Sequence, residues 1–290
     1  MKRLATLVLA SVTLCGCATT SDESSPVPAP SETDPQAATD RGGKPPPDAT
    51  DDVEAATESE ALSRLREAVE EDPSDAQAHR RLGVALRRSG QIDEAFEHLE
   101  QAARLAPDDP GILLSLGTSY SGERRPGEAE TIYLRLLEVA PDHAIAMNNL
   151  GNLALRRGDE IAAIDWYRRA TEADPQYLLV RHRLAEQLKY HGRFDEAYPE
   201  YERILEMQPK DARERIAQVE SLYAMGAINL AREDYELAER QLSRVVQDLP
   251  NHRSAHWSRA QALIQLGRQD EAQQELQVHM RIRHSMGQGF

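Results

Sequence analysis

One interval governs this chain. Prolines stand at Pro73, Pro107, Pro141, Pro175 and Pro209, each 34 residues after the last. Alanines keep the same step at Ala61, Ala95, Ala129, Ala163 and Ala197. After one interval of 41 both series resume, with Ala238 and Pro250, then Ala272. A period of this length is the signature of one small unit copied along the chain, and a copy of about 34 residues has room for two short helices and their turns.

Other positions keep step. A bulky residue follows each alanine by four: Leu65, Leu99, Tyr133, Tyr167, Tyr201, Leu242 and Leu276. A small residue recurs upstream at Gly83, Gly117, Gly151, Ala185, Gly226 and Ala260, where two helices must approach closely. Gly90, Gly158, Gly192 and Gly267 mark turns between helices. Each periodic proline stops a helix or starts the turn after it. Asp75, Asp109, Asp142, Asp211 and Asn251 stand where a following helix needs an N-cap. Aromatic content is 5%, which suits helices better than a β-sandwich.

These residues resemble the tetratricopeptide pattern over roughly 58–286. The resemblance implies an all-α fold, an α-solenoid wound as a right-handed superhelix. It has six helix-turn-helix repeats at 76–109, 110–143, 144–177, 178–211, 219–252 and 253–286. Residues 58–75 read as an N-terminal capping helix and 287–290 as a tail. The seven extra residues before 219 are expected to lengthen a helix, and Pro199 to bend one. Stacked repeats bury their apolar faces only against neighbours, which leaves one long free surface.

In the resembled family the groove residues occupy fixed places in each first helix. Carried onto this sequence, those places hold Arg80, Arg87 and Arg88 in the first repeat and Asn148, Asn152 and Arg156 in the third. They hold His182 and Lys189 in the fourth and Trp257 in the sixth. Arginine forks suit carboxylates, and asparagine can pair with peptide backbone through both donor and acceptor. The expectation is a groove for an extended peptide with an acidic residue or free C-terminus. The competing reading is a solvated helical face.

The N-terminus carries a different message. Lys2 and Arg3 precede an uncharged run from Leu4 to Leu14, too short to cross a bilayer. The run ends in Leu14-Cys15-Gly16-Cys17, which resembles a bacterial lipobox. That resemblance implies a signal peptide over 1–16 and a lipid on the Cys17 sulfur, holding the chain on a membrane. With Ala18 next, the anchor is expected in the outer membrane, facing the periplasm. The alternative is a secreted soluble protein. Residues 17–57 read as a disordered tether. Seven prolines fall between 26 and 47, and residues 18–60 hold eleven acids against two bases.

No catalytic constellation is visible. Cys15 and Cys17 are the chain's two cysteines, so the repeats have no thiolate for zinc or nucleophilic work. His252 and His256 stand four apart without further ligands. A net charge of −15 argues against nucleic acid as a partner. The sequence therefore predicts no cofactor, no small-molecule substrate and no enzyme. It predicts an envelope adaptor that binds a protein or peptide, resembling tetratricopeptide lipoproteins of pilus-secretin or peptidoglycan-enzyme assembly. A non-catalytic subunit of an enzyme complex is the alternative.

Overall fold

In a computed structural model, the backbone of residues 49–287 and the side chains of residues 60–285 are described. The leader, Cys17 and the tether up to residue 48 lie outside them. The chain divides into two units at Asp51, and the repeats belong to the second, Asp52–Phe290.

Among the described residues there are thirteen helices and no strand, so the all-α solenoid expected from the sequence is the fold. After α1 (Ala49–Glu71), six hairpins follow. They pair α2 (Ala76–Arg88) with α3 (Ile92–Leu105), α4 (Pro110–Gly122) with α5 (Pro126–Val139), and α6 (Ala144–Arg156) with α7 (Glu160–Ala173). Then come α8 (Leu178–Tyr190) with α9 (Phe194–Glu206), α10 (Ala212–Ala231) with α11 (Tyr235–Asp248), and α12 (Arg253–Gln265) with α13 (Gln269–Gly287). Each second helix also packs on the first helix of the next hairpin.

The periodic residues explain the packing. Ala95, Ala129, Ala163, Ala197 and Ala238 are at most 1% exposed, as are Leu99, Tyr133, Tyr167, Tyr201 and Leu242 four residues on. The first helix crosses them so closely that a Cβ on Gly151 would sit 2.5 Å from Tyr167 Cε1, and one on Gly117 2.7 Å from Tyr133 Cε1. Only a small residue lets the backbones meet there. The turns inside each hairpin need a left-handed residue. Gly90, Gly158, Gly192 and Gly267 supply it, but Arg124 (φ 55°) and Glu233 (φ 64°) take that conformation with a side chain.

Three expectations are corrected in detail. The helix read as 58–75 runs from Ala49 to Glu71, so residues 49–57 are helical rather than tether. That stretch has neither proline nor glycine, the strong helix breakers, once Pro47 is passed. Pro73 in turn ends the helix early. Two expected caps are displaced by one residue. His143 Nδ1 accepts from Ala146 N at 3.2 Å and His252 Nδ1 from Ala255 N at 3.0 Å, in place of Asp142 and Asn251. An imidazole nitrogen lacking its proton is an acceptor and can cap as a carboxylate oxygen does. Asp75, Asp109 and Asp211 do cap. Lastly, α13 extends to Gly287, one residue into the expected tail.

The irregular interval is absorbed by α10. It has 20 residues, where the other paired first helices have 13. Pro199 lies inside α9 and removes one helical donor.

A second repeating device was invisible in the composition. At the fourth place of three first helices a buried cationic or aromatic-nitrogen side chain bridges a proline carbonyl to the hairpin's second helix. His79 reaches Pro73 O (3.1 Å) and His98 Nδ1 (2.9 Å). Arg181 reaches Pro175 O (3.0 Å) and Glu200 (2.5 Å). His256 reaches Pro250 O (2.9 Å) and Glu275 (2.5 Å). Leu113, Met147 and Leu222 fill the same place with apolar packing.

Candidate functional site

The candidate surface is the wall made by the first helices, which lie beside one another as α2 beside α4, α8 beside α10 and α10 beside α12. Its polar groups are organised from below. Where the second helix carries tyrosine rather than leucine, the hydroxyl emerges beside the ninth residue of its own repeat. Tyr133 OH donates to Thr118 Oγ1 (3.3 Å), Tyr167 OH to Asn152 Oδ1 (2.7 Å), and Tyr201 OH to Glu186 Oε1 (2.5 Å). The sixth residue of the following repeat joins twice. Asn149 donates to Tyr133 OH at 3.0 Å and Arg183 to Asn152 Oδ1 at 2.9 Å. The rungs run through repeats two, three and four. In the first and fifth repeats Leu99 and Leu242 stand opposite Val84 and Ala227.

The predicted residues fall into three groups on this frame. Burial raises the Tyr133 hydroxyl pKa, opposed by the Thr118 and Asn149 hydrogen bonds and then by the charges of Arg156 and Arg87. Both arginines reach the end of α4, Arg156 at Ser121 and Arg87 within 3.9 Å of where a Cβ on Gly122 would stand. Arg87 Nε is buried and lacks a partner among the described residues. Arg156 is exposed and reaches only Ser121, at 3.4 Å to its carbonyl and 3.5 Å to its hydroxyl. Asn148 is 7% exposed; its amide donates to Asn149 Oδ1 at 3.2 Å while its own Oδ1 has no partner. These residues supply two cations, and beneath them one acceptor that is both buried and unsatisfied.

The second group is self-neutralised. Lys189 Nζ holds both Glu186 oxygens at 2.8 and 2.7 Å. Asn152 Oδ1 is occupied by Tyr167 and Arg183. His182 packs edge-on against Tyr201, with Nε2 buried and unpartnered. Burial, opposed by Glu186, holds its pKa below the ordinary value. Tyr201 is raised, first by burial and then by the Glu186 carboxylate, so it stays a donor.

The third group stands at the ends of the stack. Arg80 and Arg88 line a 440 Å³ cleft between α1 and α2. Trp257 is 46% exposed and stacks on His279 of α13, centroids 5.5 Å apart.

Sequence reasoning missed Asn149 and Arg183, which occupy a place not counted as groove-facing. It also read the tyrosines as packing alone. A signal was present: tyrosine at the second-helix position always travels with a polar ninth residue (Thr118, Asn152, Glu186), while leucine there stands with Val84, Ala227 or Gln261.

A larger cleft of 1210 Å³ lies between α7, α8 and α9, but none of the predicted residues line it. Five of its charges answer one another: Arg181 and Arg203 hold Glu200, and Arg168 holds Glu196. Two of the buried hydroxyls are likewise engaged. Ser119 donates to Ser115 O at 2.9 Å and Ser221 to Ala217 O at 2.7 Å. Among the described residues no group of three or more metal-ligating side chains stands together, and no helix is long and apolar enough to cross a membrane.

Known proteins bear on these repeats. A family model described as tetratricopeptide repeat matches residues 59–110, 114–177 and 223–279, together more than half of the chain. The gap in the match holds α8, α9 and the lengthened start of α10. Tetratricopeptide repeat-containing protein trd-1 of Caenorhabditis elegans is 26% identical over 148 residues, covering 51% of this chain and 19% of that protein. The chain thus spans about a fifth of that relative's length. Among solved structures, YrrB, a TPR protein with an unusual peptide-binding site, superposes with a TM-score of 0.52 at 19% identity. The match covers 66% of this chain and 95% of YrrB. PilF of Pseudomonas aeruginosa gives 0.56 at 20% identity, covering 68% and 87%. At these identities the likeness is one of fold.

Proposed function

The chain belongs to the tetratricopeptide repeat family, and from that premise we propose that it is a protein-interaction scaffold whose first-helix wall grips an extended polypeptide. The observation that carries the reading is the cluster of Arg87, Arg156 and Asn148 around the Tyr133 rung. An extended peptide has backbone N–H groups without partners, and Asn148 Oδ1 is a buried acceptor without a donor, which an N–H inserted beside it would satisfy. A carboxylate between the two guanidinium groups completes the charge, whether it comes from an acidic side chain or a free C-terminus. The peptide-binding site of YrrB, a protein of the same fold, supports a peptide as ligand. The scaffold does no chemistry of its own in this reading.

We further propose that a lipid at Cys17 fixes the scaffold to the bacterial envelope, in the outer membrane facing the periplasm, with the acidic segment after it as a leash. There it assists the assembly or regulation of an envelope machine. The sequence Leu14-Cys15-Gly16-Cys17 supports the anchor.

Two experiments test the parts separately. Radiolabelled palmitate should enter the wild type and not Cys17→Ser; equal labelling removes the anchor. In fluorescence anisotropy, Arg87→Glu with Arg156→Glu should weaken binding of a peptide ending in an acidic residue by at least about tenfold, since hydrogen bonds to charged groups contribute about 1.5–3 kcal/mol each. Unchanged affinity rejects the site.

A further inference from the structure

The repeat pattern starts one helix too early. Ala61 and Leu65 on α1 occupy the periodic places of Ala95 and Leu99. In every hairpin that alanine is covered by a first helix and is 2% exposed or less, from Ala95 to Ala272. Ala61 is exposed and Leu65 half-buried. α1 has the receiving surface of a second helix, yet no first helix in the described chain lies on it. The 440 Å³ cleft between α1 and α2 is that vacancy, floored by Ala61, Leu62 and Leu65 and walled by Val84 and Ala85.

We propose that this slot receives an amphipathic helix from a partner protein, packed against α1 as α2 packs against α3. Its chemistry follows from the six occupied slots. The residue over the alanine must be small, because at Gly83 even a Cβ would come within 2.7 Å of Leu99 Cγ. Aliphatic side chains one turn to each side meet Leu62, Leu65 and Val84. The rim is basic: Arg80, Arg81 and Arg88 line it. Arg88 has no hydrogen bond or ion pair among the described side chains, and Arg81 has a loose one to Asp75 at 3.6 Å with both groups exposed. Acidic residues along the flanks of the incoming helix answer that rim. The mode differs from the gripping of an extended peptide, and it uses the end of the stack rather than the Tyr133 rung.

The test uses the full chain and a stapled, fluorescein-labelled 14-residue helical peptide. The peptide has glycine at its centre, leucines three and four residues away on one face, and glutamates flanking that face. Saturable binding in anisotropy is expected. Ala61→Trp should weaken it at least tenfold, by filling the slot from an exposed position that leaves the hairpins alone. Arg88→Glu should weaken it similarly, and replacing the peptide's glycine with tryptophan should abolish it. Arg156→Glu should leave it unchanged. No binding, or binding indifferent to Ala61→Trp, overturns the proposal. Equal weakening by Arg156→Glu places the peptide on the rung instead, which sinks the slot and spares the groove. A concentration-dependent dimer dissolved by Ala61→Trp assigns the slot to a second copy and also overturns it.

Discussion

Arg181 and Glu200 form a buried ion pair whose energetic value the repeat itself lets one predict. Their side chains are 8% and 14% exposed, and the contact is 2.5 Å. Removing two ions from water costs several kcal/mol each, and the mutual attraction offsets this only while both partners remain. Cutting Glu200 to alanine strands a guanidinium that keeps a single neutral partner, the Pro175 carbonyl at 3.0 Å, with Nε unsatisfied. The expected loss is about 3 kcal/mol, the low end of the range for a broken buried pair, because the adjoining 1210 Å³ cleft admits water. Arg181→Leu alone should cost less, since the carboxylate left behind keeps Arg203 at 2.5 Å. The double change Arg181→Leu with Glu200→Ile installs the Leu113 and Ile132 of the second repeat, where apolar side chains do the same work. It should lie within about 1 kcal/mol of wild type.

The assay is urea denaturation followed by circular dichroism at 222 nm on wild type and these variants, with Glu200→Ile added as the single that closes the double-mutant cycle. The comparison holds where the slope m is shared. If Glu200→Ala loses less than about 1 kcal/mol, the pair is solvated and the burial argument fails. If the double variant loses the sum of the singles, the places are not interchangeable between repeats, and the equivalence drawn from the 34-residue step is wrong at this position.

Three further outcomes follow from the geometry. Glu233→Gly should stabilise the protein by about 1 kcal/mol, read as a raised urea midpoint, because glycine takes the left-handed turn without the penalty a Cβ carries. Gly151→Ala should cost about 1–2 kcal/mol despite alanine's better helix propensity, since its Cβ meets the Tyr167 ring at 2.5 Å; a gain in midpoint would show that the hairpin relaxes freely. His182 resists protonation when folded, because burial lowers its pKa from 6.5. The unfolded chain then binds more protons below about pH 6.5, so acidification should erode stability in that window, and His182→Gln should flatten the melting profile between about pH 7.5 and about pH 5.5. An unchanged profile would mean the ring is not desolvated.

The hairpins were legible because their signal is steric and periodic. Gly117 opposite Tyr133 and Ala129 beneath it are dictated by backbone approach, and such constraints repeat at every copy. Even the irregular interval could be placed, since seven residues added to a helix of 13 give the 20 of α10. The start of α1 was less legible. Residues 49–57 are polar enough to read as tether, and the absence of breakers is what admits them to the helix. The caps at His143 and His252 were hidden because histidine serves as an acceptor only in one tautomer, which the neighbouring bonds select.

The candidate site was legible as a set of places and not as a set of available groups, and the distinction is physical. Place five, nine or twelve of a repeat fixes where a side chain starts, while its neighbours across the stack decide whether its polar atoms are free. Asn152 and Lys189 hold family groove places, yet Tyr167 with Arg183 and Glu186, respectively, engage them. Asn148 and Arg87 keep atoms unsatisfied, whereas Lys189, at the Arg87 place of the fourth repeat, is met by Glu186. A solenoid of identical repeats would satisfy or expose every rung alike. In the two readings proposed above, binding concentrates where this chain breaks its own pattern: at the Tyr133 rung, where Arg87 and Arg156 have no ion-pair partner among the described residues, and at α1, where no described helix covers Ala61.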